Sequence, residues 1–488
     1  MTARAVMVLG TTSGAGKSWL ATALCRWYVR QGLRVAPFKA QNMSSNARVV
    51  PAEGGLLGEI GSAQYFQALA ARVAPEVRMN PVLLKPENDT TSQVVVMGRV
   101  RAGLGAVPWR ERSERLWPFA RDALDALMKE SDVVVIEGAG SPAAINLHTS
   151  HYVNMRTALH ARAACLLVTD IDRGGAFAHL YGTHQLLPAE ERALIRGYVL
   201  NRFRGDASLL APGPQQLQQL TGVSTLAVLP MWRGHGLPEE DGVFDDRATG
   251  ARGGIEVAVI AFPQISNLDE FKPLRQCPGV RLNWARSVAD AEGADWIVLP
   301  GSKHTGADLA WLRALGLFGA IRDHAARGGR VLGICGGLQM LGRKLLDRHR
   351  LEGHAGGESD GLSLLLIDTQ FEPEKTLRCT RAHFDAPDGD WSSLAGLAFD
   401  GYEIRCGHTE AEAGVATVLH NDEGTPIGWQ RGPVLGLYAH GLFESADAMR
   451  ALFGAEVRPL DAVFDGLADF IHACFEPGSL MRLTESAA

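Results

Sequence analysis

Short apolar runs that are continuous rather than alternating, and rich in β-branched residues, recur along this chain between segments of helical character. Ala5–Leu9, Arg34–Phe38, Asp132–Ile136, Ala164–Thr169 and Gly197–Leu200 form one series. Such runs leave no face for solvent, so they demand a parallel sheet covered by helices on both sides. The stretch from His235 to Gly254 is rich in Gly, Asp and Glu and has no periodicity, so it reads as a linker. A second series follows at Glu256–Ala261, Trp296–Leu299, Arg330–Ile334 and Val434–Tyr438. The expected fold class is α/β, with two doubly wound, mostly parallel-sheet domains. Their expected bounds are 1–235 and 254–450, with a linker at 236–253 and a C-terminal helical extension at 451–488. In that extension Leu460, Val463, Phe464, Leu467, Phe470 and Ile471 keep a helical spacing.

A chain of 488 residues with 46% hydrophobic and 21% charged residues has ample core. A net charge of −6 offers no attraction to nucleic acid or to an anionic membrane. No apolar run approaches the ~18–20 residues that span a bilayer. Gly10 and the polar residues after it cut short the first apolar run, so no signal peptide is expected. Seven scattered cysteines without a Cys-x-x-Cys pair suit a reducing cytoplasm and argue against a disulfide framework or a zinc site.

Gly10-Thr11-Thr12-Ser13-Gly14-Ala15-Gly16-Lys17-Ser18 follows a predicted strand and opens a helix, the context of a phosphate-binding loop. Backbone N–H groups around Gly14 and Gly16 would cradle phosphate oxygens, Lys17 would neutralise them, and Ser18 would ligate Mg²⁺. Thr11 stands where the strict pattern has its first glycine. Glu137 ends the run Val133–Ile136 and is a second candidate Mg²⁺ ligand. Asp170, Asp172 and Arg173 also follow a predicted strand, where open α/β sheets bind ligands. A plain Asp–Arg surface pair is the equal alternative. Asn201 ends another strand and is read either as a contact to the nucleotide base or as a turn residue. Lys39, after the second strand, suits phosphoryl or carboxylate oxygens.

Val331-Leu332-Gly333-Ile334-Cys335-Gly336-Gly337-Leu338-Gln339 reads as a buried strand, a strained turn and a helix. The thiol of Cys335 would sit at a helix N-terminus, whose dipole favours a thiolate. His440, just past the strand Val434–Tyr438, falls at the same sheet edge and can take the thiol proton. The backbone of Gly336 and of Gly301, in Pro300-Gly301-Ser302, would supply oxyanion donors. No acid stands two residues after His440. Glu444, four residues on, is a possible third member.

Gly333, Cys335, Gly337 and Gln339 reproduce the Gly-x-Cys-x-Gly-x-Gln elbow of triad-type (class I) glutamine amidotransferases. The N-terminal loop resembles that of dethiobiotin synthetase. Joined in this order, the two modules resemble the cobyric acid synthases over nearly the whole chain. Asn42-Met43-Ser44, Met79–Pro86, Glu137–Pro142, Asp170–Gly175, Asn201–Asp206, Gly401–Ile404 and His440–Phe443 all match. The resemblance implies a P-loop NTPase-like domain followed by a flavodoxin-like amidotransferase domain. It implies ATP- and glutamine-dependent amidation of the b, d, e and g carboxylates of adenosylcobyrinic a,c-diamide, with Gln339 in the glutamine site. ATP, Mg²⁺, L-glutamine and a corrinoid polycarboxylate are the implied ligands. Between Ser141 and Arg156 the chain departs from the family pattern, with Ala144, Thr149 and His151 in place of acids. Two other readings therefore stand beside the first. One is cobyrinic acid a,c-diamide synthase or another glutamine-dependent amidoligase, and the other is a non-catalytic nucleotide- or corrinoid-binding protein.

Overall fold

The computed structural model describes residues 3–87, 90–238, 254–352 and 357–485. Most of the expected linker, residues 239–253, lies outside them. The chain forms two compact units. The first comprises Met1–Ser44, Val50–Asp241 and Pro459–Ala488, and the second comprises Ser45–Val49 and Gly242–Arg458.

The first unit is built on six parallel strands: β1 (Arg4–Gly10), β2 (Val35–Phe38), β3 (Val133–Glu137), β4 (Ala164–Asp170), β5 (Ile195–Phe203) and β6 (Thr225–Pro230). Their order across the sheet is β6-β5-β4-β1-β3-β2. β1 and β3 lie side by side, with Val8 opposite Glu137, and β4 flanks β1 with Val168 opposite Gly10. The loop after β1 and the acids ending β3 and β4 are thereby brought to one carboxyl edge. All five residues of β3 are buried, the apolar run Val133–Ile136 and the acid that ends it. Helix α1 (Lys17–Arg30) follows the loop, and α2 (Ser62–Ala70) adds Gln64 and Gln67. In α3 (Trp109–Glu130), buried Ser113, Leu116, Trp117, Ala120, Ala123, Leu124 and Leu127 recur at three- and four-residue steps, one apolar stripe facing the core.

The C-terminal extension is not a separate element. Its first part, to Arg458, folds with the second unit, and residues 459–488 complete the first. The helix Leu460–Cys474 buries Val463, Phe464, Leu467, Ala468 and Ile471. It covers α1, whose fully buried Arg26 pairs with Asp461 and lies over the Phe464 ring, 5.5 Å from its centroid. Tyr28 donates to the Leu480 carbonyl at 2.8 Å. An apolar stripe of this length needs a partner, and α1 supplies it.

In the second unit β7 (Ile255–Ile260), β8 (Val280–Ala285), β9 (Trp296–Leu299), β10 (Arg330–Ile334) and β15 (Val434–Leu437) run parallel in the order β8-β7-β9-β10-β15. Beyond β15 the sheet continues with antiparallel strands absent from the sequence reading: β11 (Ile367–Phe384), β12 (Ala398–Ala411), β13 (Ala416–His420) and β14 (Pro426–Arg431). β11 buries alternate residues at both of its ends, so it shows no continuous apolar run. Among the described residues no helix is long and apolar enough to cross a membrane.

Ile471→Ala tests the placement of the last helix. Ile471 is fully buried, so the substitution is expected to cost about 2–5 kcal/mol. Urea unfolding reads this, and a detached extension would give almost no change.

Candidate active sites

In the second unit β10 ends at Ile334, opposite Leu437 of β15, so Cys335 and the segment carrying His440 leave the sheet from adjacent strands. Cys335 has φ 51° and ψ −105°, a backbone that L-residues avoid, and it caps the short helix α4 (Gly336–Leu341). Such a conformation costs on the order of 1–3 kcal/mol and persists only where its surroundings enforce it. Here the neighbours enforce it by close approach. A Cβ on Gly337 would lie 1.9 Å from the Leu299 carbonyl oxygen, and one on Gly333 would lie 2.7 Å from the Gly337 backbone. A Cβ on Gly301 would meet His440 Cε1 at 3.1 Å, and one on Gly336 would meet the Ser302 nitrogen at 2.8 Å. Both expected oxyanion glycines therefore border the thiol and imidazole.

His440 is buried and shares a hydrogen bond with Cys335. Its Nδ1 lies 3.1 Å from Glu270 Oε1. The other Glu270 oxygen accepts from the Gly441 backbone at 3.4 Å. Tyr402 clamps the His440 backbone with two hydrogen bonds, and the two rings stack at 5.1 Å between centroids. Burial opposes an imidazolium here. The Glu270 carboxylate outweighs it, aided by the hydrogen bonds His440 makes with Cys335 and Glu270, and raises His440 to about 10.

Glu444 does not reach His440. It sits on the turn Leu442–Glu444 and accepts from Arg48 Nη1 at 3.0 Å. The carboxylate on His440 comes from 170 positions earlier in the chain. Spacing after His440 could not reveal it. The available signal was the pair Asp269-Glu270 between the apolar Leu268 and Phe271, in the segment that follows β7. Gln339 is buried on α4. Its Oε1 accepts from Thr305 Oγ1 at 3.1 Å, and a Cβ on Gly407 would lie 2.2 Å from its amide nitrogen. It braces the elbow against two neighbouring elements.

In the first unit Gly14 and Gly16 have φ of 71° and 98°, which only glycine adopts without strain. Thr11 ties the loop to β4, donating from Oγ1 to Thr169 Oγ1 at 3.0 Å. This accounts for a threonine where the strict pattern has glycine. Lys17 curls over the loop, with Nζ 3.0 Å from the Thr12 carbonyl and 3.3 Å from that of Gly140. Glu137 accepts from Ser18 Oγ at 2.8 Å, Lys39 Nζ at 2.8 Å and Gln67 Nε2 at 2.6 Å. Burial alone would raise its carboxyl. The Lys39 ammonium and these hydrogen bonds reverse that, and hold it below the usual carboxylate range.

Asn201 donates to the Ala15 carbonyl at 2.9 Å and accepts from the Arg202 backbone. Its amide thereby braces the loop. A Cβ on Gly16 would come within 2.1 Å of it. Asp170 is buried, accepts from Arg202 at 2.9 Å and forms an ion pair with Arg173 at 3.3 Å. Arg173 also approaches Gly14. Asp172 pairs with exposed Arg204 instead, the surface-pair alternative. Asn154 grips Ala139 through both its amide atoms, at 2.9 and 2.7 Å. Ala144, His151 and Arg156 line a cavity of about 400 Å³ with Glu114, His148 and Glu191.

A P-loop unit joined to a unit with a Cys–His pair at a strained elbow defines a glutamine-dependent amidoligase. Residues 6–233 match the CobQ/CobB/MinD/ParA nucleotide binding domain, and residues 256–448 the CobB/CobQ-like glutamine amidotransferase domain. A cobyric acid synthase of Methylibium petroleiphilum is 71% identical over 99% of this chain and 97% of its own length. Those of Leptothrix cholodnii and Variovorax paradoxus are 67% and 66% identical, again over 99% of this chain and 97% and 100% of theirs. The chain belongs to the cobyric acid synthases.

Glu270→Gln keeps the shape and removes the charge. His440 is then expected to titrate well below about 10, and glutamine hydrolysis to slow by about 10²-fold or more. NMR titration and glutamate release check both. Because folding raises His440, the pair stabilises the fold fully below about pH 6.5, and this is lost as pH climbs towards about 10. The difference in urea midpoint between wild type and Glu270→Gln should shrink over that window.

Proposed function

We propose that this enzyme uses ATP and glutamine to amidate the b, d, e and g carboxylates of adenosylcobyrinic a,c-diamide. The observation that carries the reading is His440 held between Cys335 and a buried carboxylate, in a chain whose other unit closes a P-loop over Glu137.

Glutamine's carboxamide carbon is attacked by the Cys335 sulfur, whose proton is already held on His440. Backbone N–H groups at Gly336 and Gly301 face the oxyanion. His440 returns the proton to the departing nitrogen, ammonia leaves, and water hydrolyses the glutamyl thioester to glutamate and free thiol. Glu270 keeps the ring oriented and stabilises its charged form.

A carboxylate is a poor electrophile, so it is converted to an acyl phosphate by the γ-phosphoryl of ATP, with ADP as leaving group. Ammonia then displaces phosphate. The loop backbone and Lys17 cradle the phosphates, and Lys39 lies beside Glu137 as a partner for transferring or accepting oxygens. The Ser18 hydroxyl and the Glu137 carboxylate, 2.8 Å apart, present hard oxygens suited to Mg²⁺, which commonly takes one or two protein ligands and completes its shell with phosphate and water. Once bound there, the ion would neutralise phosphate charge. Asp170 and Arg173 border the same loop and are assigned to phosphoryl or substrate contacts.

Incubation with MgATP, glutamine and cobyrinic a,c-diamide should give four successive products, each about one mass unit lighter. No such ladder would overturn the reading, and a ladder on a different polycarboxylate would reassign the substrate. Cys335→Ala should lose glutamine-dependent turnover and keep turnover with free ammonia. Nucleotide binding without any ATP turnover would instead mark a binding protein.

A further inference from the structure

Five residues, Ser45–Val49, lie in sequence between β2 and α2 yet fold as part of the second unit. They fasten the turn Leu268–Phe271, which bears Glu270. The Leu268 nitrogen donates to Asn46 Oδ1 at 2.8 Å, and Asn267 donates to the Ala47 carbonyl at 2.9 Å. Asn267 also donates to the Tyr402 hydroxyl at 2.6 Å. Arg48 is 2% exposed. Its guanidinium holds Asp269, with Nε at 3.1 Å, and Glu444, with Nη2 at 2.5 Å. It also stacks over the Tyr402 ring, 4.8 Å from the centroid, and Tyr402 in turn stacks on His440.

This arrangement does more than neutralise two acids. Asp269 precedes Glu270, and Glu444 follows His440 by four residues, so one cation ties the carriers of both groups. A guanidinium can do this because its planar fork serves two carboxylates and a ring face together. We propose that Arg48 is a positioning residue for glutamine hydrolysis, locking the Glu270 turn and the Tyr402 ring so that His440 is presented to Cys335. The proposal rests on the reading that Cys335 and His440 release ammonia. The groups that face His440 are Cys335, Glu270 and Tyr402, with Arg48, Asp269 and Glu444 behind them.

The test uses full-length Arg48→Met and Arg48→Lys, assayed with glutamine and separately with ammonium. The rate of iodoacetamide alkylation at the Cys335 peptide is followed against pH. Arg48→Met is expected to lower kcat with glutamine by about 20-fold or more, with KM within about threefold and ammonium-dependent turnover within about twofold. Its alkylation profile should move by about one pH unit or more, and Arg48→Lys should recover part of each effect. Equal loss with glutamine and ammonium would overturn the proposal, as would an unmoved alkylation profile. Should Arg48→Met fail to fold, Arg48→Lys carries the test, with the same selective loss expected and the same outcomes decisive. Glutamine-dependent turnover surviving in Cys335→Ala would instead overturn the reading of the thiol site on which this rests.

Discussion

A carboxylate taken out of water must be neutralised where it sits, because the desolvation of each ion costs several kcal/mol even after relaxation. Glu137 and Glu270 are both essentially inaccessible, and each meets a cation from a distant part of the chain. Lys39 neutralises the first and His440 the second. Removing one partner from such a pair costs about 3–5 kcal/mol, so the geometry around each is tightly bound to the stability of its unit. The same charges set the chemistry. Lys39 keeps Glu137 ionised beside the P-loop, and Glu270 keeps His440 cationic beside the thiol.

Parallel strands explain why these groups gather. Every β-strand of such a sheet delivers its following loop to the carboxyl edge, so neighbours in the sheet become neighbours in the site even when far apart in sequence. β1 and β3 bring Ser18 to Glu137, and β10 and β15 bring Cys335 to His440. The thiol site adds a second constraint. Cys335 holds a disfavoured backbone only because Gly333 and Gly337 let the elbow close against Leu299.

Much of this was legible in the amino-acid order. Arg330–Ile334 and Trp296–Leu299 are strands with the bounds their apolar runs suggest, because a buried strand writes its burial into each residue. The P-loop and elbow were legible too, since glycine positions are dictated by local backbone geometry. β11 was not legible, because its alternating burial mixes with charge along eighteen residues. Asn201 was read either as a base contact or as a turn residue, and local pattern could not show that its amide engages the Ala15 carbonyl and the Arg202 backbone. Glu444 was the nearest acid to His440 in sequence, and Arg48 holds it elsewhere.

The sequence by itself determined the two parallel sheets, the glycine-flanked elbow at Cys335 and the P-loop, since each follows from periodicity or from residues a few positions apart. Only the tertiary structure decided which acid orients His440, what Arg48 neutralises, and which unit the last helix completes. Those outcomes depend on buried charges and apolar stripes finding partners across 170, 221 and 435 positions. Local pattern has no reach over such distances, and the free energy of leaving a charge or an apolar face unpartnered makes the choice.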